Sequence, residues 1–462
     1  MHTPIRLNAL LAAALLGICP AAFAAETPAA PATEAARAGN PDQAVINFLN
    51  LRFGMFIHFG MSTFHNEQWA YPFRDPKVFR PTKLDATQWA KAAKSAGMRY
   101  GVFTSKHHDG FCLWPTKTTG YNSSKSDPGI DVVKAYVDAF RAEGLQVGLY
   151  YSIMDWHQNI DHGTTTKTKV EIMKDQLTEL LTNYGPINCI VTDGWGSKWG
   201  GPSFGELPFK VLADHIHAIQ PDCLLINHAC TADLEVSQVI HYEATHGQHC
   251  PYDNVLPSQQ GPTLQSAWFW NEGFEKEPLK SADEAVKELR FVNARFGNYL
   301  LNAAPNKDGL LDNNVLQRLE EIGKLVSFPP DITELSKPAR PHRAVTATAS
   351  SATDGNDASR VLDANLFTRW IPSAEDKQPW VELDFGKPET FNAIVCGEHA
   401  HNIRAFRIEA MVDGQWQEVL KGGDIKHHFQ ARFPEVTAQR YRVTLTDCNP
   451  SPWLAEVTFI RY

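Results

Sequence analysis

Asp193 is the residue around which the chemistry of this chain gathers. An apolar, β-branched run, Ile190-Val191-Thr192, ends on it, and Gly194-Trp195-Gly196 follow. A short apolar run stopped by glycine reads as a buried parallel strand, which puts the carboxylate at the strand's C-terminal edge. In parallel α/β folds ligands bind at that edge. Alone, such an Asp is explained as well by a cap on the next turn. Its company argues otherwise. Further expected strand ends carry His58, Lys106-His107-His108-Asp109, Tyr151-Ser152, Tyr242-Glu243, Phe269-Trp270 and Asn302. One such residue has a bland reading, and a satisfied core histidine is the bland reading of His58. The whole set at one rim does not. Adjacent residues on a strand face opposite ways, so one of His107 and His108 is expected at the mouth and the other behind it. Two carboxylates, Asp193 and Glu243, suit glycoside hydrolysis. A retaining enzyme holds such a pair about 5–5.5 Å apart, one attacking the anomeric carbon and the other protonating the leaving oxygen. Trp69 and Trp195 fall in loops near the mouth, where an indole suits stacking on a sugar ring.

The elements that must position these residues alternate along the chain. Strands are expected over 54–59, 100–105, 146–152, 187–192, 223–227, 239–242, 266–270 and 299–302. Helices are expected over 86–96, 130–142, 166–183, 204–219, 282–295 and 313–326, several stopped by Gly97, Gly144 and Gly185. Eight strands with crossover helices predict an α/β fold, a (β/α)8 TIM-like barrel. The fifth and sixth crossovers look short or irregular. The pattern changes at Phe328-Pro329-Pro330. Beyond it lie alternating strands such as 380–385 and 406–410, and Asp413-Gly414 is a hairpin signal. This predicts an all-β jelly-roll sandwich domain over 331–462, hinged at 338–341, after a catalytic barrel over 41–330.

Residues 1–24 read as a signal peptide. His2 and Arg6 make a basic start, 7–18 is an apolar core too short to span a bilayer, and Ala22-Phe23-Ala24 fits the cleavage pattern. A bacterial periplasmic or secreted protein is expected, with a disordered Ala/Pro/Thr/Glu linker over 25–40. A net charge of −9 without a Lys/Arg run argues against nucleic acid and anionic membrane as partners. Eight cysteines, less Cys19 in the signal, leave seven. An odd, scattered set is no disulfide framework, although a single bridge such as Cys223–Cys230 or Cys230–Cys250 is conceivable. No C-x-x-C occurs, so zinc is not indicated.

The segments 52–60 (RFGMFIHFG), 106–111 (KHHDGF), 148–152 (GLYYS) and 298–302 (NYLLN), the last continuing through Pro305 to Gly309-Leu310-Leu311, go beyond spacing. On them the chain resembles glycoside hydrolase family 29, the α-L-fucosidases. The resemblance implies exo-acting hydrolysis of terminal α-L-fucosyl linkages of glycans with retention, through a covalent intermediate on Asp193. It implies fucose contacts at His58, Trp69, His107, His108 and Tyr151, while Trp195 and Trp270 are expected as further substrate contacts from their places at the mouth. Its acid/base is variable. Glu243 is expected, with Glu272 in reserve and Glu206 and Glu235 behind it. Subfamilies preferring 1,3/1,4 linkages have a similar apolar run ending in Glu. Two departures stand out: Val191 where the family often has Trp, and Gln68 where it usually has Glu, so that either Gln68 takes over a hydroxyl contact or Glu67, one further back, shifts in.

The segments Val361-Leu362-Asp363-Ala364-Asn365, Thr368-Arg369-Trp370, 380–386 and Glu456-Val457 are similar to a discoidin-like (coagulation factor 5/8 type C) domain. Such domains bind sugars in some proteins and brace a neighbour in others. Some hold a structural calcium near an Asp-x-Asn loop. No cofactor is expected to be required for catalysis. The expected partners are fucosylated oligosaccharides or glycoconjugates. Two readings from other classes compete. A metal-dependent barrel hydrolase would use a first-strand His-x-His, which is missing here, because Phe59-Gly60 follow His58. A non-catalytic sugar-binding barrel would require loss of a carboxylate, and both Asp193 and Glu243 are present.

Overall fold

The computed structural model describes residues 41–196, 200–335, 339–398 and 400–462. The expected signal peptide and linker lie outside the described residues. Eight parallel strands close into a barrel in sequence order: β1 (Phe53–Ile57), β2 (Tyr100–Lys106), β3 (Gln146–Ser152), β4 (Cys189–Asp193), β5 (Leu224–Asn227), β6 (Val239–Tyr242), β7 (Ser258–Gln260) and β8 (Gly297–Asn302). β1 pairs with both β2 and β8, which completes the ring. Helices α1 (Pro41–Leu49) and α2 (Met61–His65) flank β1. The larger helices α3 (Ala86–Ser95), α4 (Val132–Ala142), α5 (Lys167–Asn183), α6 (Phe209–Ile219), α7 (Ala282–Asn293) and α8 (Asn313–Leu325) follow. Four of them start where a side-chain oxygen satisfies an otherwise unpaired amide: Asp85, Asp131, Thr166 and Ser281 accept from Gln88, Lys134, Lys169 and Glu284.

Side chains alternate across each strand and so sort into two cores. Phe56, Val102, Tyr150, Val191, Ile226 and Leu300 point inward into one cluster. Ile57, Phe103, Leu149, Tyr151, Ile190 and Leu301 point outward into the layer shared with the helices. The inner cluster ends in a plug. Ala44, Val45, Phe48 and Leu49 of α1 join it, the Phe48 ring meets Tyr100 edge-on at 5.9 Å, and Asn298 Nδ2 donates to the Phe48 carbonyl at 2.6 Å. Tyr100 and Asn298 lie at strand beginnings, so α1 stoppers the N-terminal end and leaves the C-terminal end open.

Two sequence expectations are corrected. The seventh strand is not 266–270 but Ser258–Gln260. Its three residues are polar and buried, so they give no hydrophobic signal, and 266–270 is a loop over the mouth. The helix expected over 204–219 starts only at Phe209, after Pro208. The seven described cysteines are all free, so neither suggested bridge forms. Among the described residues no helix is long and apolar enough to cross a membrane.

The remainder is antiparallel. β9 (Arg340–His342), β10 (Thr346–Ala349), β11 (Trp380–Glu398), β12 (Ile403–Val412), β13 (Gln415–Gly422), β14 (Phe429–Cys448) and β15 (Leu454–Arg461) form one sheet in the order β13-β12-β14-β11-β15-β9, with β10 on β11. β11 and β14 are long and bulged. The first half of β11 takes β10 and its second half takes β15, so a single sheet wraps one apolar core. Asp413 and Gly414, at φ 50° and 76°, make the two-residue hairpin between β12 and β13. Part of the expected hinge, Arg340–His342, is strand β9, paired with β15. Trp416 stacks on Arg442, which also covers Trp380, and Trp453 lies under Arg369.

The second domain is fixed to the barrel by side chains. Arg343 reaches Glu235 at 3.0 Å, His162 stacks on Phe367 at 3.9 Å, and His428 meets Tyr242 edge-on at 5.2 Å. The plug generates a direct test of the barrel. Phe48→Ala is expected to lower stability by about 3–5 kcal/mol, as truncation of a fully buried Phe does, measured by denaturant unfolding.

Candidate active site

A cavity of about 290 Å³ opens at the C-terminal end of the barrel. Asp193, the last residue of β4, lines it with Glu243, His58, His107, His108, Tyr150, His228 and Trp268. The strand parity that puts Val191 inward puts Asp193 inward too. Both of its oxygens are engaged. Oδ2 accepts from the Tyr150 hydroxyl at 2.6 Å and faces His108 Nε2 at 3.5 Å. Oδ1 accepts the Gly194 amide at 2.6 Å and faces His228 Nδ1 at 3.5 Å. Gly194 has φ 100°, and a Cβ there would lie 2.9 Å from Met154 Cβ, so the turn presenting that amide requires glycine.

Burial alone would push the Asp193 carboxyl up, but His228, His108 and the Tyr150 hydroxyl outweigh it and hold the group well below the usual carboxylate range. His58, His107 and His108 are themselves neutral at pH 7. Burial lowers His58 to about 3, and lowers His107 and His108 as well. Tyr150 and Gly194 are the hydrogen-bond donors to the carboxylate, and His228 faces its Oδ1.

The residues behind the imidazoles fix their tautomers. Ser152 donates its hydroxyl to the Met154 carbonyl at 2.6 Å and so accepts from His108 Nδ1 at 2.7 Å. Asn302 donates its amide nitrogen to the Trp268 carbonyl and turns its oxygen to His58 Nδ1 at 2.8 Å. Gln259 donates to the Tyr100 hydroxyl and accepts from His241 Nδ1 at 2.9 Å. In all three rings the proton sits on Nδ1 and Nε2 is an acceptor. His241 Nε2, His107 Nδ1 and Trp268 Nε1 are buried without protein partners. A cluster of ring acceptors and an indole donor matches a ligand rich in hydroxyl groups.

Of the residues expected from sequence, the structure brings Asp193, Glu243, His58, His107, His108, Trp69 and Trp195 to the cavity wall. Glu243 follows β6 and meets His246 Nδ1 at 2.5 Å. Trp195 is a packing residue with one edge on the cavity. It is stacked on Phe204 at 5.4 Å, and its Nε1 donates to the Leu207 carbonyl.

Three expected contacts are corrected. Tyr151 points outward, where its hydroxyl lies between Gln176 of α5 at 2.6 Å and Lys106 at 3.3 Å, and Tyr150 takes the inward place. Trp270 is turned into a small apolar cluster and donates to Asp312 at 2.7 Å, while Trp268 reaches the cavity. Gln68 holds the 266–270 loop. Its oxygen accepts the amides of Trp268 and Phe269, and its nitrogen donates to the Phe269 carbonyl. A Glu could not make that last bond. Glu67 does not shift in; it pairs with Arg74 at 2.9 Å. Glu272 is exposed and paired with Lys307 at 2.6 Å, away from the cavity wall. Glu206 binds His162 at 2.8 Å, and Glu235 binds Arg343. Lys106 of the KHHDGF segment turns away and pairs with buried Asp155 at 3.0 Å.

Sequence reasoning missed Tyr150, His228, His241 and Trp268. Counting parity back from Asp193 through its register partner Ser152 selects Tyr150. His228 directly follows β5 and was available from the strand-end rule.

The alpha-L-fucosidase family model matches residues 62–328, more than half of the chain, and the F5/8 type C domain model matches residues 346–458. The chain is 28% identical over 427 residues to alpha-L-fucosidase 1 of Arabidopsis thaliana, covering 84% of this chain and 80% of that protein. Alpha-L-fucosidase isoenzyme 1 from Paenibacillus thiaminolyticus shares its fold with a TM-score of 0.55 at 24% identity, over 89% of this chain and 100% of that one. A Ruminococcus gnavus GH29 fucosidase solved in complex with fucose matches with a TM-score of 0.52 at 22% identity, over 91% and 94% of the two chains.

The two tyrosines separate by mutation. Removing the hydroxyl that stabilises ionised Asp193 raises the carboxyl's pKa. Tyr150→Phe is therefore expected to move the acidic limb of the pH profile of turnover upward by about 1–2 pH units. Tyr151→Phe is expected to leave that limb in place.

Proposed function

Because the chain belongs to the alpha-L-fucosidase family of glycoside hydrolases, we propose that it removes terminal α-L-fucosyl units with retention of configuration, Asp193 acting as nucleophile and Glu243 as acid/base. The observation that carries this reading is the ionised Asp193 held at the cavity floor by Tyr150 and Gly194. In the first step an Asp193 oxygen bonds to the anomeric carbon, the bond to the leaving oxygen breaks, and Glu243 gives that oxygen its proton. In the second step Glu243 takes a proton from water. The water oxygen then bonds to the anomeric carbon and the bond to Asp193 breaks. The blind floor, with Phe56 on its wall, admits one terminal sugar and fits exo action. His58, His107, His108 and Trp268 are the proposed hydroxyl contacts, and Trp69 the stacking wall. The apolar run of β6 ending in Glu243 supports a preference for 1,3/1,4 linkages. The basic, then apolar, then Ala22-Phe23-Ala24 start supports export to the periplasm or beyond.

A structural calcium is proposed for the second domain. Among the described residues no three His, Cys, Asp or Glu cluster as metal ligands. An oxygen set suited to a hard cation is nonetheless present. Asp363 and Glu456 converge on the Asn365 amide, and Thr368 adds a hydroxyl. Glu456 is buried, burial pushes its carboxyl well above the ordinary range, and its Oε2 has no protein partner. A cation would compensate that buried group.

The experiment for the main reading is turnover of an aryl α-L-fucoside by Asp193→Gly and Glu243→Ala, with and without azide. Asp193→Gly is expected to lose on the order of 10³-fold or more and to yield β-fucosyl azide, because azide enters the vacated face. Glu243→Ala is expected to yield α-fucosyl azide from the covalent intermediate. Undiminished Glu243→Ala turnover would reject that assignment. For calcium, thermal unfolding is expected to show stabilisation of about 2.7 kcal/mol at 100-fold over Kd, lost in Glu456→Gln, and equal stability in calcium and in EDTA counts against the site.

A further inference from the structure

The cavity is not made by the barrel alone. Leu366, Gly397, Glu398, His427 and Ala455 of the second domain line it together with the barrel residues. These five come from four separate loops or strand ends, and their positions are fixed by contacts. Leu366 lies against Gly196, where an added Cβ would meet it at 3.1 Å. Gly397 touches the loop after β5, where a Cβ would lie 2.8 Å from Thr231 Cγ2 and 2.9 Å from the His427 carbonyl. The Glu398 carboxylate accepts the amides of Asn402 at 2.7 Å and Ile403 at 3.0 Å, which closes the loop beside it. His427 Nε2 is 3.0 Å from His401 Nε2.

The position of this wall relative to the chemistry follows from the strands it touches. Thr231 belongs to the loop after β5, and Tyr242, which packs on His428, immediately precedes Glu243 after β6. The wall therefore runs from the loop after β4, where Leu366 meets Gly196, past the loop after β5 to the Glu243 side of the cavity. In a retaining mechanism the acid must sit beside the leaving oxygen, so the leaving group occupies the space next to it. We propose that the second domain forms the leaving-group subsite, with Leu366 as its apolar face and the His427–Glu398 edge as its polar lip, and that it selects a sugar as the unit to which the fucose is attached. An apolar face beside a polar lip fits a pyranose ring, which presents C–H faces and a hydroxyl rim, better than it fits an aryl or lipid group. The domain thus acts as part of the active site. This inference rests on the fucosidase reading.

The test compares kcat/KM for a 4-nitrophenyl α-L-fucoside with kcat/KM for an α1,3- or α1,4-fucosylated N-acetyllactosamine trisaccharide, in wild type and in Leu366→Ala and His427→Ala. The ratio of trisaccharide to aryl fucoside is expected to fall by about 5-fold or more in each variant, the size of one lost sugar contact. An α1,2-fucosylated lactose serves as a third substrate and reports whether the wall also reads linkage. Melting temperature controls for folding, and the milder Leu366→Val and His427→Gln serve if a truncation unfolds. A ratio within twofold of wild type in folded variants overturns the wall and leaves the fucosidase reading intact. Turnover of neither substrate by wild type overturns the fucosidase reading instead. Calorimetry then decides the wall, since these variants must lose affinity for the trisaccharide but keep it for free fucose.

Discussion

A carboxylate buried at the end of β4 has to stay charged without a lysine or arginine beside it. Burial favours the neutral acid, and the cost of an unpaired buried charge is what usually protonates such a group. The obvious remedy would be a lysine. Lys106 stands on the neighbouring side of the barrel, but Asp155 holds it at 3.0 Å and it points outward. Asp193 is held instead by two neutral donors, the Tyr150 hydroxyl and the Gly194 amide, with His108 and His228 facing its two oxygens. The difference matters for chemistry. An ion pair with lysine would neutralise the group and weaken it against carbon. Neutral donors fix its position and leave its full charge to face the positive charge that develops at an anomeric centre.

That arrangement requires order behind it. Each imidazole is fixed in one tautomer only if its Nδ1–H finds an acceptor, and Ser152, Asn302 and Gln259 supply one. The three acceptors are themselves oriented by further bonds, to Met154, Trp268 and Tyr100. The last chain runs from the mouth to the first residue of β2, so the network crosses the barrel interior. This explains a strand as unpromising as Ser258–Gln260. Gln259 is buried because His241 needs it, Ser258 and Gln260 are bonded to Asn254 and to the Cys250 amide, and a half-satisfied network of this kind would destabilise the core.

The legibility of the sequence follows the same division. The barrel's outer framework was readable because apolar runs, glycine stops and capping residues all report local physics. The strand-end rule placed His58, His107, His108, Asp193 and Glu243 at one cavity. It failed where local signals run out. β7 carries no apolar pattern, so its place was given to 266–270, and Trp270 was taken for Trp268. Tyr150 and Tyr151 are adjacent and identical in type, and only the β3–β4 register, which pairs Ser152 with Asp193, tells which of them faces inward. Gln68 looked like a ligand contact because its role depends on a loop 200 residues away in sequence.

The division of the chain into two folds was legible, but the site does not respect it. The β5–β6 connection contains both the cavity-lining Ala229, Cys230 and Thr231 and the acidic Glu235 that grips Arg343 of the second domain. Stacked rings at His162–Phe367 and His428–Tyr242 add contacts that rotation of one domain would break. A freely tethered sugar-binding module would present a small, wet interface. Here the same short connection positions the cavity wall and anchors the neighbouring domain, so a displacement of that domain would move the wall beside Glu243. The geometry of the leaving-group side is in this way a property of the interface, which no pattern within either domain's own sequence encodes.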